Sequence, residues 1–175
     1  MINQSAFEAM GKPLRLSKGQ HVFAQGGSDT SVYFVTSGLL KAYYLTHDGK
    51  ELVKSFIQEG EFIGSLIACS SEDPCTFSLQ CLEDSDLLRV EFADMQQAAV
   101  SNSDFTGSAV AALLSLAIKK ERREYEFLCL SAGERYELFK QRKPELINRL
   151  TQNDIARYIG ITPVALSRIK KNHKA

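Results

Sequence analysis

Leu150-Thr151-Gln152-Asn153-Asp154-Ile155-Ala156-Arg157-Tyr158-Ile159-Gly160-Ile161-Thr162-Pro163-Val164-Ala165-Leu166-Ser167-Arg168-Ile169 is the stretch that decides the fold. Thr151 with Asp154 three residues on is a capping arrangement, and it opens a helix over 152–159 with Ile155, Ala156 and Ile159 on one face. Gly160 ends that helix, as glycine does where the chain turns through a left-handed conformation. Ile161 sits in the turn as an apolar plug, and Thr162 caps a second helix with Pro163 at its first position. In this second helix Leu166 and Ile169 point one way, while Val164, Ser167, Arg168 and Lys171 point the other. Such a face suits a major groove: Arg grips guanine bidentately, Val touches a thymine methyl, and Ser and Lys bind phosphates or base edges. An ordinary helical hairpin with a solvated basic face has the same outline. The small Ala156, the plug and the two caps favour a helix-turn-helix. Its candidate DNA contacts are Thr151, Gln152, Thr162, Val164, Ala165, Ser167, Arg168 and Lys171.

Immediately upstream, Ser131 with Glu134 forms another capping box, followed by a short basic helix over 134–143 that Pro144 stops. The tail differs in charge from the rest. Residues 131–175 carry 10 basic and 4 acidic side chains, net +6, against 11 and 17, net −6, over 1–130. An acidic body with a basic tail is the asymmetry expected when the tail meets a polyanion, although basic helical tails are also often mere solvated surface.

Further back, the segment 104–130 has no proline and one glycine and is dense in Ala, Leu, Glu and Lys, so it reads as one long helix. Val110, Leu113, Leu114, Ala117, Tyr125 and Leu128 share one stripe, which Glu121 and Glu124 interrupt. Ala112, Leu116, Phe127 and Leu130 form a second. One stripe is enough to lie on a sheet, so two ask for a second apolar surface. Either the helix is buried between two parts of its own chain, or it lies between its β-domain and the same helix of another copy. The second reading is favoured, with Val110, Leu113, Leu114, Ala117, Glu121, Tyr125 and Leu128 as the interface.

The first hundred residues are punctuated by turn signals: Gly26-Gly27, Ser37-Gly38, Asp48-Gly49, Glu59-Gly60, Asp73-Pro74 and Glu83-Asp84. Between them the runs 32–35, 39–45, 52–57, 76–82 and 87–92 are short and rich in β-branched and aromatic residues, which predicts a sandwich, barrel or roll. Asp48-Gly49 supplies the positive φ angles of a tight hairpin, pairing 42–45 with 52–56 and making the local picture a meander.

The class is therefore α+β: an N-terminal antiparallel β-roll over 1–103, a dimerisation helix over 104–130 and a helix-turn-helix over 131–175. The order of parts, and the residues 150–156, 158–163 and 166–169 quoted above, resemble the Crp/Fnr transcription regulators over nearly the whole chain. That resemblance implies a cyclic-nucleotide-binding-like roll (a double-stranded β-helix), with Gly26, Gly38, Gly60 and Gly64 at its turns, and a homodimer on a palindromic operator. It admits RNA polymerase as a further partner.

Where cyclic-nucleotide-binding members read Phe-Ile-Gly-Glu and then Arg-Ser, this chain reads Phe62-Ile63-Gly64-Ser65 and then Cys75-Thr76. The Glu that holds the ribose and the Arg that pairs with the phosphate are both absent. A cyclic phosphate would be desolvated beside no cation, so cAMP or cGMP is not expected as effector. Phe62, Gly64, Ser65, Cys75 and Thr76 mark a pocket that is empty, apolar or tuned to another molecule. At the DNA end, Val164 replaces a Glu that many members place three residues before the Ser-Arg pair. The chain stops four residues after Lys171, so a complete wing is not expected.

Cys69, Cys75 and Cys81 recur every six residues, which admits a thiol or metal sensor, but no Cys-x-x-Cys pair exists. Buried apolar thiols are the simpler reading, and His21, His47 and His173 are scattered surface or turn residues. Neither metal nor cofactor is expected. No Gly-x-Ser-x-Gly, phosphate-cradling glycine loop or His-Glu-x-x-His motif occurs, so catalysis is not expected. With 44% hydrophobic and 24% charged residues, no span-length apolar run and no signal peptide, a cytoplasmic globular protein is predicted. The alternative to a regulator is a β-roll sensor or protein-interaction module whose tail does not bind DNA.

Overall fold

Two four-stranded sheets form the N-terminal part of the computed structural model, which describes residues 4–71 and 73–172. The strands are β1 (Lys12–Leu16), β2 (His21–Phe23), β3 (Ser31–Ser37), β4 (Leu40–Leu45), β5 (Glu51–Ile57), β6 (Phe62–Gly64), β7 (Ser78–Cys81) and β8 (Ser85–Glu91). One sheet has the order β1-β8-β3-β6 and the other β2-β7-β4-β5, with every pair antiparallel. The antiparallel roll expected from the sequence is present, but it is not a meander. The chain passes from one sheet to the other between β3 and β4, and only β4 and β5 are neighbours both in sequence and in the sheet.

That hairpin pairs Ala42 with Ser55, Tyr44 with Leu52 and Leu45 with Glu51, with a bulge between Ala42 and Tyr43. The strands are joined by residues 46–50, so β5 begins one residue earlier than expected. Gly49 donates to the Thr46 carbonyl at 2.9 Å, and of the Asp48-Gly49 pair only Gly49 has positive φ. A turn of this kind followed by one left-handed residue needs no positive φ at Asp48.

The run Ser31–Val35 is buried at every residue because β3 is covered on both sides. Tyr33 and Val35 face the roll interior, with Phe23, Leu40, Ala42, Cys75, Phe77, Leu79 and Leu87. Val32 and Phe34 face outward into a second cluster with Phe7, Met95, Phe105 and Ala112. Those residues come from α1 (Gln4–Met10), α3 (Phe92–Ser101) and α4 (Ser103–Cys129). The alternation of side chains along a strand puts neighbours on opposite faces, so a strand with helices outside it loses the polar half of its pattern.

The long helix expected over 104–130 is α4. Asn102 caps it, its Oδ1 accepting from the amides of Asp104 at 3.0 Å and Phe105 at 3.1 Å. Its two stripes have different fates. Ala112 is buried and Leu116 half-buried, whereas Val110, Leu113, Leu114, Tyr125 and Leu128 are 55–77% exposed.

Beyond α4 come α5 (Ala132–Arg142), a 3-10 turn (Pro144–Leu146), α6 (Gln152–Ile159) and α7 (Pro163–Asn172). Ser131 and Glu134 form both bonds of the predicted capping box. Tyr136, Phe139, Leu146, Leu150, Ile155, Ile159 and Leu166 make a third cluster, and Leu39, Val53 and Phe56 of the roll belong to it. The C-terminal helices thus share a core with the β4-β5 side of the roll.

Candidate nucleic-acid interface and effector pocket

The tail folds as its caps dictate. Thr151 Oγ1 accepts from the Asp154 amide at 3.1 Å to start α6, and Thr162 Oγ1 accepts from the Ala165 amide at 3.2 Å in the first turn of α7. Between them Gly160 is left-handed, with φ +83°, and the amides of Gly160 and Ile161 both return to the Ala156 carbonyl. A side chain at 160 is disfavoured twice. Besides the backbone conformation, a Cβ there would stand 2.8 Å from the Phe127 ring of α4.

Ala156 and Leu166 are fully buried where α6 meets α7, and Ile161 and Ile169 pack against the same cluster. Opposite them Val164, Ser167, Arg168 and Lys171 are exposed on one face of α7. Burying a leucine contributes about 1.5–3 kcal/mol, so Leu166 holds the helix while its other face remains open to solvent. Of the remaining predicted contacts, Thr151, Gln152 and Thr162 are exposed, Gln152 accepting from Lys170 at 2.9 Å. Ala165 is half-buried, the least available of the set.

Sequence reasoning missed the charges that seat this unit on the roll. Arg149 donates bidentately to Glu59, at 2.9 and 2.9 Å, and to Glu83, at 3.0 and 2.7 Å. Arg149 holds the Glu59 carboxyl down at about 2, below its ordinary 4.5, and the two carboxylates raise the Arg149 guanidinium further. Lys41, 6% exposed on β4, meets Glu51 at 2.6 Å and Asp154 of α6 at 3.6 Å, and Arg157 reaches Glu51 at 3.0 Å. From α4, Arg123 donates to the carbonyls of Val53 at 3.1 Å and Tyr158 at 2.9 Å. Apart from Lys41 and Glu51, which lie on the two strands of the β4-β5 hairpin, these partners lie tens of residues apart, and no local pattern announces them.

The five predicted pocket residues do not gather. Phe62 points outward, its ring 6.0 Å from that of Phe7, whereas Cys75 lies in the roll interior. Gly64 is required by packing, since a Cβ would stand 2.8 Å from the Ser31 carbonyl. Ser65 is 1% exposed and caps α2 (Leu66–Ser70), while Thr76 is exposed.

The Cys75 thiol donates to the Asp29 carbonyl at 3.7 Å, and the Asp29 carboxylate accepts from Tyr33 at 2.9 Å. Arg89, which donates to Ser31, is already paired with Glu91 at 3.0 Å. Ser65 and Cys75 therefore bring no charge, and the Cys75 thiol is bonded to the Asp29 main chain. The residues present do not fit a cyclic phosphate.

Cys75 and Cys81 are buried, Cys69 is half-buried and Cys129 is exposed. Burial pushes the Cys69 thiol up to about 11 and raises Cys81 as well, which suppresses the thiolate at neutral pH. His21 bonds Tyr43 at 2.8 Å on the surface, His47 is exposed in the hairpin turn, and His173 lies outside the described residues. Among the described residues no three His, Cys, Asp or Glu side chains converge as a metal site.

Residues 13–102 match the family model of the cyclic nucleotide-binding domain. The chain belongs to that family. Over 172 residues it is 27% identical to the transcriptional activator protein Anr of Pseudomonas protegens, a match covering 91% of this chain and 68% of that protein. It is 28% identical over 171 residues to the fumarate and nitrate reduction regulatory protein of Salmonella typhi, covering 90% of this chain and 66% of that one.

Among solved structures, the c-di-GMP responsive global regulator CLP of Xanthomonas campestris superposes with a TM-score of 0.78 at 21% identity, over 98% of this chain and 90% of that one. The chain spans about two thirds of the length of these curated relatives. The Crp/Fnr resemblance read from residues 150–169 thus extends through the cyclic nucleotide-binding roll and the long helix to nearly the whole chain.

Proposed function

We propose that this chain is a sequence-specific DNA-binding transcription regulator of the Crp/Fnr type that binds a palindromic operator as a homodimer. The observation that carries the reading is α7 itself. A capped helix is anchored by the buried Leu166 and presents Val164, Ser167, Arg168 and Lys171 to solvent. Arg168 is the base reader, Lys171 a phosphate contact, and Thr151, Gln152, Thr162, Val164, Ala165 and Ser167 complete the surface.

The dimer seam is the exposed stripe of Val110, Leu113, Leu114, Ala117, Glu121, Tyr125 and Leu128. Leu128 at 77% exposure is an apolar surface that a second copy of α4 would cover. Three parts follow from this division of labour: a sensor roll over 1–103, the dimerisation helix over 104–130 and the DNA-binding unit over 131–175. The effector is not a cyclic nucleotide, because Ser65 and Cys75 supply neither charge that ligand needs. The same reading makes the protein a cytoplasmic regulator, with no catalysis and with RNA polymerase as a further partner. Among the described residues no helix is long and apolar enough to cross a membrane.

An electrophoretic shift measured across a salt series tests the reading. Preference for one palindrome, with affinity falling linearly in log salt, is expected. No shift at low salt would favour the rival reading, in which the roll works through protein contacts and the tail does not bind DNA.

A further inference from the structure

Between α4, α5 and α6 lies a cavity of about 100 Å3 lined by Arg123, Arg135, Arg142, Lys143, Glu126 and Tyr158, among others. Four cations face one carboxylate there. Arg142 is paired with Glu126, and Lys143 reaches Glu61 at 3.5 Å. Among the described residues, Arg123 and Arg135 have no carboxylate partner in an ion pair. Both guanidiniums stand over the Phe127 ring, at 4.6 and 4.7 Å, and Arg123 also over Tyr158, at 4.0 Å. Their hydrogen bonds go to main-chain carbonyls: Arg123 to Val53 and Tyr158, Arg135 to Ile159 at 3.1 Å and Leu130 at 2.6 Å.

Each guanidinium has five N–H donors, and the bonds above use two of those on Arg123 and two on Arg135. Burial lowers the pKa of Arg123, the neighbouring Arg135 adds to that, and the Glu126 carboxylate only partly offsets it. A space of this size holds several waters or one tetrahedral oxyanion. Convergent guanidiniums are the groups that match such an anion bidentately.

We infer that this cavity binds a phosphoryl group, with Arg123, Arg135 and Arg142 as its donors. The ligand is a free phosphate or the phosphate of a small metabolite, not the backbone of DNA. Arg123 also bonds β5 of the roll, and the cavity meets α6 at its C-terminal Tyr158 and Ile159, whereas the candidate DNA face begins at the other end of α6 with Thr151 and Gln152. Occupancy would tie the long helix to both helices that carry α7. Glu126 is the one unfavourable lining charge, and it sets the selectivity against weak binders by competing for Arg142. This site is independent of whether α7 reads DNA.

Thermal unfolding and calorimetry of the full chain with inorganic phosphate, against chloride at equal ionic strength, test the site, and ribose 5-phosphate serves as the phosphomonoester arm. Phosphate should raise the unfolding midpoint above the chloride control. Arg142→Gln, at an exposed position on the lip, should weaken binding about tenfold or more, the loss of one charge-assisted contact. Glu126→Gln should strengthen it severalfold by releasing Arg142, a gain that damage to the fold would not produce. Arg168→Ala should leave it unchanged. Tighter binding of ribose 5-phosphate than of phosphate would assign the site to a metabolite, and the reverse order to the free ion. The inference is overturned if phosphate acts like chloride on both wild type and Glu126→Gln, if Arg142→Gln binds as wild type does, or if Arg168→Ala abolishes binding and so places the ion on α7.

Discussion

The proposed recognition helix and the roll interior are both built around buried apolar anchors, and they differ in what stands beside the anchor. On α7, Leu166 is fully buried while the opposite face carries Arg168 and Lys171 into solvent. In the roll, Ser65 and Cys75 are themselves buried, one capping α2 and the other bonding the Asp29 carbonyl. In the proposed reading, the α7 surface carries the charges that DNA contact needs, whereas Ser65 and Cys75 carry none for a cyclic phosphate. A regulator can thus keep its way of reaching DNA while the signal it answers is replaced, because the two sites share no side chain.

The largest effect should come from separating the copies. Leu114→Glu with Leu128→Glu places two charges in the exposed stripe of α4, and the double variant should sediment as a monomer and lose palindrome binding. An unchanged dimer would put the seam elsewhere. Next, the two faces of α7 should separate in stability. Leu166→Ala should cost about 2–5 kcal/mol in denaturant unfolding, the price of an uncollapsed core cavity. Val164→Ala, 63% exposed, should stay within about 0.5 kcal/mol. Equal losses would mean that α7 is not oriented by Leu166.

Much of this architecture was legible in the sequence, and the misses have physical reasons. Capping boxes, Gly160 and Pro163 act within a few residues, so the bounds of α5, α6 and α7 could be read locally. Strands β1, β2 and β6 escaped because each carries too little apolar alternation to read. Lys12–Leu16 shows no clean apolar alternation, and three-residue strands show no period at all. α1 escaped because seven residues offer few helical repeats, although Phe7 is 1% exposed and stacks 5.1 Å from Phe34. On α4 both stripes were visible, while which of them the roll covers was decided by Val32 and Phe34, far away in the chain. The pocket list failed at Phe62 for a similar reason. Alternation along β6 sends Ile63 inward and Phe62 outward. The ion pairs of Arg149 with Glu59 and Glu83, and of Lys41 with Asp154, were illegible because pairing across the fold leaves no local signature.

At the pocket, calorimetry should detect no cAMP binding at micromolar concentrations. Measurable heat would show that some cation other than an arginine at position 75 holds the phosphate. The smallest effect concerns the seat between the two regions. The carboxyl of Glu59 is lowered to about 2 in the fold from an ordinary 4.5, so the stability it contributes is fully present above pH 4.5 and is lost as pH falls towards 2. The difference between wild type and Glu59→Gln in urea unfolding should therefore be constant near neutrality and shrink across that acid window. Because Glu59 is 43% exposed on its side chain, solvent screens the pair and the difference should be modest. A difference that grew on acidification would mean that Arg149 does not stabilise the ionised form.

The most direct test of base reading by α7 compares Arg168→Ala with Lys171→Ala on a palindrome selected from a random duplex library and on unselected duplex. Arg168→Ala should cost about 1–3 kcal/mol on the palindrome, relax preference at one base pair of each half-site and leave unselected DNA nearly unaffected. Lys171→Ala should weaken both duplexes alike and flatten the salt slope by about one unit per half-site. If the two variants weaken palindrome and unselected DNA by the same factor, Arg168 does not read bases and α7 is not the recognition helix.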